Sequence, residues 1–355
     1  MSARVPFAER GGRLRGLLDL ATGCYPAFLF GGPLGDQVPA FHFHDVTRDA
    51  LEPQLQYLAD NGYRTVGSDE IARLVIDGVR PGPRAVALTF DDAWESVWSV
   101  ALPLLKQYGQ RAILFAIPAR IGEKPGDSPF VTWAQLSELH QSGVVDVQSH
   151  TRSHAMIFSD ADVSGFVTPR FAAEPFLNRP VTSMNGHVDS VGPDALGTPL
   201  YTRRSRMSDA RRYFPPEDAA ARCRAHVARH GGPEFFDRPN WRSELHALAS
   251  APSERFETDD ARLASIRDEL AAGRALLNDR LGATSVRHVA LPWGIAGDIT
   301  RRALADTGHE TAFAERPLLR RGVRAGDDRY QLMRLNGKFL TCLPGRGRQW
   351  FFSAV

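Results

Sequence analysis

The sequence predicts an α/β protein built around a parallel sheet or barrel, and three observations support that prediction. The near-continuous apolar run at residues 84–90 follows a Gly/Pro cluster and is typical of a buried parallel strand. Helical patterns follow the apolar runs and end at glycines such as Gly109 and Gly143. The same alternation resumes after Thr258, and alternating strands and helices are typical of a parallel α/β fold.

The first half of the chain alternates predicted strands and helices. Residues 40–46 alternate apolar and polar side chains, which predicts a strand, and Asn61-Gly62 ends the next helical pattern as a C-cap would. Thr132 has the chemistry of a helix N-cap. The predicted strands are 40–46, 64–66, 84–90, 111–117 and 144–148, and the predicted helices are 51–60, a short one from Ser68, 94–108 and 132–141.

The regular pattern lapses between residues 159 and 257, where only one clear helix, 216–230, is predicted. An unstructured loop of this length is unusual inside a compact domain, so we predict an inserted cap or subdomain. Thr258 then caps a long helix that ends at Gly282. The remaining predicted elements are a strand at 286–291, a helix at 298–307, a strand at 310–314 and a last strand at 330–335.

These elements predict a division of the chain into four parts. Residues 1–39 form an N-terminal extension, 40–158 with 258–340 form the main α/β domain, 159–257 form the insertion, and 341–355 form a C-terminal tail. Of the 355 residues, 43% are apolar and 24% are charged, which predicts a packed globular protein. The net charge of +2 is too small to indicate nucleic acid as a partner.

Cysteine usage and the N-terminus bear on location. Cys24, Cys223 and Cys342 are far apart and form no CxxC pair, so we expect no disulfide framework and a reducing compartment. Asp19 interrupts the apolar stretch at 17–34, which we interpret as a mature segment rather than a signal peptide. No run reaches the ~18 apolar residues of a membrane span. We therefore expect a cytoplasmic protein, with peripheral membrane contact left open.

Two adjacent carboxylates, Asp91 and Asp92, directly follow a predicted buried strand. Sites in α/β folds form at the carboxyl ends of strands. Adjacent carboxylates repel each other unless a cation or a proton resolves the repulsion, so the pair favours a metal. The alternative is a helix N-cap, for which a single Asp would suffice.

A pair of histidines, His150 and His154, follows another predicted strand in the string SHTRSH. Histidines four residues apart can converge on one ion where the chain turns helically, although many such pairs are surface residues. Two imidazoles and one carboxylate leave open positions on a Zn²⁺-type ion, as a catalytic site requires. The second carboxylate is then available as a base.

Three ordered motifs resemble those of the polysaccharide deacetylases, the NodB-homology or carbohydrate esterase family 4 enzymes. They are TFDDAW at 89–94, SHTRSH at 149–154 and ALPWG at 290–294, and the resemblance extends over about 40–158 and 258–335. It implies a distorted (β/α)7 TIM-like barrel with a large insertion. It also implies that Asp91 is the catalytic base and that Asp92, His150 and His154 hold Zn²⁺ or another divalent transition metal. Trp293 would supply a backbone N–H to the oxyanion.

The sequence departs from the family pattern in two places. Ala290 stands where motif three usually has an Arg that orients the base, and no C-terminal LxH motif follows the last histidine, His309. FHFHDV at 41–46 resembles the strand that carries the general acid in circularly permuted members, which implies that His44 is the proton donor. The alternative is that His44 only packs. His42 is interpreted as a structural residue or as one that supports the site residues from behind.

Three functions remain open from the sequence. The first is hydrolysis of an N-acetyl group on an amino sugar of a polysaccharide or glycolipid precursor, polymeric, lipid-linked or nucleotide-linked. The second is an O-acetyl esterase or another amidase with the same residues. The third is a catalytically dead glycan-binding protein, which the loss of the motif-three Arg favours. Retention of Asp91, Asp92, His150 and His154 together favours an enzyme.

Overall fold

The structure is a computed structural model that describes residues 25–173, 175–183, 189–249, 255–315 and 321–354. Its strands, in chain order, are β1 (Ala40–Phe43), β2 (Arg64–Thr65), β3 (Ala85–Asp92), β4 (Ala112–Ala116), β5 (Val145–Ser149), β6 (Met156–Phe166), β7 (Val181–Ser183), β8 (Asp189–Ser190), β9 (Pro199–Ser205), β10 (His288–Ala290), β11 (Thr311–Phe313) and β12 (Leu335–Asn336).

Helices alternate with these strands over most of the chain. In chain order the α-helices are α1 (Arg48–Asp60), α2 (Ser68–Asp77), α3 (Leu102–Gln107), α4 (Trp133–Gln141), α5 (Ala219–Arg229), α6 (Trp241–Ala249), α7 (Asp259–Leu281), α8 (Asp298–Asp306) and α9 (Phe351–Ala354).

The main sheet is parallel and has the strand order β11-β10-β5-β4-β3-β1-β12, with β2 paired to the start of β3. Every residue of β3 and β4 is buried, as the apolar runs predict for parallel strands covered on both faces. The α/β class and the parallel curled sheet predicted from the sequence are therefore confirmed.

Local signals place the helices that support this sheet. The Thr132 hydroxyl accepts a hydrogen bond from the Gln135 N–H at 3.2 Å, and the Gln135 side chain accepts one from the Thr132 N–H at 2.7 Å. This capping box starts α4 where the sequence predicts it. Thr258 likewise accepts from the Ala261 N–H at 3.1 Å at the start of α7.

The predicted helix at 94–108 is present over residues 95–107, but it is not a regular α-helix throughout. A π-helical turn at Val97–Ala101 precedes α3, and Pro103 lies in the first turn of α3. Because proline has no N–H, it cannot complete the regular hydrogen-bond ladder, and the turn widens before it. The last strand is also shorter than predicted, since the predicted 330–335 contributes only Leu335 to β12.

The backbone separates into two compact units. Among the described residues, one contains 25–153, 267–296 and 301–354, and the other contains 154–266 and 297–300. In the second unit, β6 pairs with β9 in an antiparallel ribbon that the sequence analysis missed. Burial along β6 alternates, but serines and aspartates occupy its exposed positions and hide the strand pattern. The predicted helix 216–230 is present as α5, whereas the predicted boundaries of the insertion stay a prediction.

No helix in the described part of the chain is both long and apolar enough to cross a bilayer. Cys223 and Cys342 are buried free thiols, and Cys24 lies outside the described residues.

Candidate active site

The carboxyl ends of β3 and β5, the two strands that flank β4 in the sheet, place the acidic pair and the first histidine close together. Asp91 and Asp92 end β3, and both are buried with 3% of their surface exposed. His150 follows the last residue of β5, and its N–H donates to the Ala116 carbonyl of β4 at 2.8 Å. Asp92 has a φ of 69°, so the chain turns sharply as it leaves the sheet.

The three predicted metal ligands converge. Possible ligand atoms of Asp92, His150 and His154 all lie within 4.8 Å of one another, and all three side chains are buried. His150 Nε2 is 3.5 Å from Asp92 Oδ1. His150 Nδ1 donates to the Ala290 carbonyl at 2.7 Å, which leaves the lone pair of Nε2 directed toward the carboxylate. This arrangement of second hydrogen bonds is typical of metal-binding histidines.

The charge balance around Asp92 also suits a cation. Burial raises the pKa of the Asp92 carboxyl and the charge of Asp91 adds to that rise, whereas His44 and His150 oppose it when they are protonated. The indole N–H of Trp94 donates to Asp92 Oδ2 at 3.2 Å. Trp94 therefore contacts the acidic pair directly. Two imidazoles and one buried carboxylate form a donor set that fits a divalent transition metal.

Asp91 has a different partner, Arg334. The guanidinium donates to Oδ1 at 2.6 Å and to Oδ2 at 2.8 Å, and a third N–H reaches the Thr89 hydroxyl at 3.1 Å. Burial opposes ionisation of Asp91, but the charges of Arg334, His150 and His44 together hold its pKa well below the ordinary value. Asp91 is therefore an oriented carboxylate at neutral pH.

Arg334 supplies the positive charge beside Asp91 that Ala290 cannot provide. The sequence motifs did not predict this role for Arg334. It lies just before β12, and its guanidinium is 5.5 Å from the ring centre of Phe115 and 5.7 Å from that of Phe313. The available signal was a single arginine inside the apolar segment QLMRL at 331–335. An arginine in such a segment indicates a buried acidic partner, but the sequence does not identify which one.

His44 lies beside the same carboxylate. Its Nε2 is 3.8 Å from Asp91 Oδ2, and half of its side chain is exposed, so it is not packed in the core. Ligand atoms of His42, His44 and Asp91 also lie within 4.8 Å of one another. Because Arg334 already binds both oxygens of Asp91, a cation between these three side chains would be repelled.

Trp293 lies in the 3-10 turn Pro292–Gly294 that follows β10, and its φ is 55°. Gly294 continues the turn with a φ of 71°, and a Cβ there would lie 2.5 Å from the Glu315 side chain. Ala290 lies three residues before Trp293, and its backbone carbonyl accepts the hydrogen bond from His150 Nδ1. Motif three therefore orients a predicted metal ligand through its backbone and carries Trp293 into a loop at the carboxyl end of the adjacent strand.

Comparisons with known proteins agree with this fold. Residues 78–172 match the family described as polysaccharide deacetylase. The chain is 33% identical over 109 residues to YxkH of Bacillus subtilis strain 168, described as a polysaccharide deacetylase, covering 31% of this chain and 37% of that protein. It is 33% identical over 155 residues to the poly-beta-1,6-N-acetyl-D-glucosamine N-deacetylase of Escherichia coli K12, covering 40% and 23%. The matches thus span less than two fifths of these relatives.

A solved structure shows the same fold. The BpsB deacetylase domain from Bordetella bronchiseptica superposes with a TM-score of 0.54 at 19% identity, covering 85% of this chain and 96% of that one. The fold is therefore the NodB-type α/β barrel that the sequence predicts. The predicted resemblance is confirmed as well: residues 78–172 match the polysaccharide deacetylase family, and the relatives reported above that match this chain are described as deacetylases.

Proposed function

We propose that this chain removes an N-acetyl group from an amino sugar of a polysaccharide or its precursor, with a bound divalent metal. The observation that carries the proposal is the pairing of a buried, arginine-held carboxylate, Asp91, with the adjacent group of Asp92, His150 and His154. A family relative named as an N-acetylglucosamine polymer deacetylase supports the same reaction.

Asp92, His150 and His154 would hold the ion, Zn²⁺ or another transition metal. When bound there, the ion supplies Lewis-acid polarisation of the acetyl carbonyl and of a water molecule. The hydrogen bond from His150 Nδ1 to the Ala290 carbonyl keeps that ring in the tautomer that can bind a cation through Nε2.

Asp91 would take the proton from the attacking water. Its two hydrogen bonds to Arg334 fix the carboxylate, and its lowered pKa keeps it ionised at neutral pH. A base with this orientation needs no rearrangement when the substrate arrives. Arg334 therefore acts through Asp91 and is a positioning residue.

His44 would donate a proton to the amine that leaves. An amine expelled as its anion is a very poor leaving group, so amide hydrolysis needs such a donor. His44 is half exposed and lies next to the base, where both groups can reach one substrate. The backbone N–H of Trp293 would donate to the oxyanion that forms on the acetyl group.

The substrate class rests on the relatives and on chemistry. An O-acetyl ester needs the same base, whereas the proton donor His44 is required most by an amide. We therefore favour N-acetyl hydrolysis over the esterase alternative. The lipid or nucleotide carrier, a role in polysaccharide biosynthesis and the cytoplasmic or membrane-peripheral location stay predictions from the sequence.

Acetate release tests the proposal directly. Purified, zinc-loaded protein should release acetate from N-acetylglucosamine oligomers faster than from O-acetylated sugars, and Asp91→Asn should abolish the release. The variant keeps the size of the side chain while removing the base. No acetate from either substrate class would favour the dead binding protein, and an active Asp91→Asn protein would contradict the mechanism.

A further inference from the structure

The segment from His150 to His154, which we call the histidine turn, has an unusual backbone. Thr151 has a φ of 64° and His154 a φ of 55°, and neither residue is glycine. Left-handed conformations at such residues are unfavourable and persist only where surrounding contacts enforce them. The source of those contacts therefore bears on how the two histidines are held.

Glu269 of α7 contacts the two residues that lie between Thr151 and His154. Its backbone carbonyl accepts from the Arg152 N–H at 2.9 Å. Its carboxylate accepts from the Ser153 N–H at 3.0 Å and from the Ser153 hydroxyl at 2.6 Å. One glutamate thus binds three polar hydrogens from two successive residues of the histidine turn.

The helix surface is also shaped to receive the turn. A Cβ on Gly273, one helical turn after Glu269, would lie 2.8 Å from the Arg152 nitrogen and 2.9 Å from the Thr151 carbonyl carbon. No side chain fits at that position while the turn stays in place. The backbone of the turn therefore lies directly against α7, along the helical turn between Glu269, which binds Ser153, and Gly273.

Burial of Glu269 argues that the contact has a purpose beyond general packing. Only 1% of its surface is exposed. A buried carboxylate is costly unless hydrogen bonds compensate it, and an apolar pair of the same shape could fill this space at less cost. An apolar pair, however, could not accept hydrogen bonds from the backbone N–H groups between His150 and His154, and so could not fix their direction.

We propose that Glu269 is a positioning residue for the metal site, holding the histidine turn so that His150 and His154 face the same ion. This inference rests on the proposed function, because it presumes that these histidines bind a metal. It assigns to α7 a role in the site that none of the three sequence motifs carries.

Metal affinity measured without substrate tests the inference. Apo protein is titrated with Co²⁺, followed by its visible absorption, and with Zn²⁺ in competition with a chelating dye. Glu269→Ala should bind about 10- to 100-fold more weakly than wild type, the usual loss when a group that supports a metal ligand is removed. Glu269→Gln should stay within about threefold of wild type, because its amide can accept from the Ser153 N–H and donate to the hydroxyl.

Leu277→Ala is the matched control. Leu277 lies on the same helix and is fully buried, so its truncation should lower the melting temperature without changing metal affinity. This comparison separates loss of stability from loss of positioning. If Glu269→Ala does not fold, Ser153→Ala replaces it and should weaken binding several-fold by removing one bond of the contact.

The outcomes distinguish the two proposals. A wild-type protein that binds metal tightly while Glu269→Ala, or its substitute Ser153→Ala, binds equally well would overturn this inference alone. Equal losses in Glu269→Gln and Glu269→Ala would also overturn it, since charge rather than hydrogen-bond geometry would then matter. A wild-type protein that binds no divalent ion would overturn the proposed function and this inference with it.

Discussion

Arg334 holds Asp91 through two parallel hydrogen bonds, 2.6 and 2.8 Å long, across 243 positions of sequence. Asp91 ends β3, and Arg334 comes just before β12, which pairs with β1, the neighbour of β3. The charge that motif three usually provides thus comes from the opposite side of the base. Replacement of the motif-three Arg by Ala290 does not leave Asp91 without orientation, which removes the main sequence argument for a dead site.

Loss of this contact should slow catalysis without affecting the metal. Arg334→Lys keeps a positive charge but cannot bind both oxygens in parallel, and Arg334→Met keeps only the apolar stem. We expect kcat to fall about 100-fold for the methionine variant, as for other misplaced catalytic groups, and less for lysine. Steady-state acetate release gives kcat and KM, and dye competition gives zinc affinity.

Thr89→Val is the control for Arg334, because it leaves both bonds from the guanidinium to Asp91 in place and removes the third, together with the bond from the Thr89 hydroxyl to the Phe41 carbonyl. Its kcat should stay close to that of wild type. Wild-type kcat in Arg334→Met would show that the orientation of Asp91 does not depend on the arginine.

Zinc should stabilise the fold through the predicted ligands. At free zinc 100-fold above the dissociation constant, binding to the native state adds about 2.7 kcal/mol to the free energy of unfolding. His154→Ala should lose this gain and should not retain stoichiometric zinc after dialysis. His44→Gln leaves the three ligands intact, so it should keep both the zinc-dependent gain in stability and the bound zinc. Urea unfolding with and without zinc measures the gain in the free energy of unfolding. An equal zinc effect in His154→Ala would remove His154 from the site.

The sequence predicted the acidic pair and the histidines because each stands immediately after a strand inside a short local motif. Arg334 escaped prediction because its partner is fixed only by the order of strands in the sheet. Glu269 escaped for a similar reason, since α7 contains several acidic residues and no local motif distinguishes the one that contacts the histidine turn. The ribbon of β6 and β9 was missed because its exposed serines and aspartates resemble loop residues.

The role of His44 can be separated from that of the base by changing the leaving group. An amide must be protonated as its amine leaves, whereas the phenolate of 4-nitrophenyl acetate leaves without a proton. His44→Gln should therefore lower kcat on the N-acetylated sugar by about 10²- to 10⁴-fold and affect the aryl ester far less. Asp91→Asn is the matched control and should impair both substrates. Equal losses on both substrates in His44→Gln would refute the acid role.

His309 predicts how the stability of the barrel depends on pH. The side chain is buried, and its Nδ1 lies 2.9 Å from the Thr307 hydroxyl. Burial, with the nearby charges of Arg274 and His288, lowers the pKa of His309 from 6.5 to about 3. The native state therefore keeps this ring neutral at pH values where the unfolded chain protonates it.

Between pH 6.5 and about 3 the unfolded state binds one more proton at His309 than the native state. Stability that is fully present above pH 6.5 should be lost as the pH falls, by at most about 1.4 kcal/mol per pH unit from this group. His309→Gln removes the proton-binding ring, so its free energy of unfolding should fall less steeply over the same range. Urea unfolding of both proteins from pH 8 to pH 4 measures the two slopes, and the values at pH 8 provide the baseline. Parallel slopes would show that His309 does not contribute to the acid sensitivity of the fold.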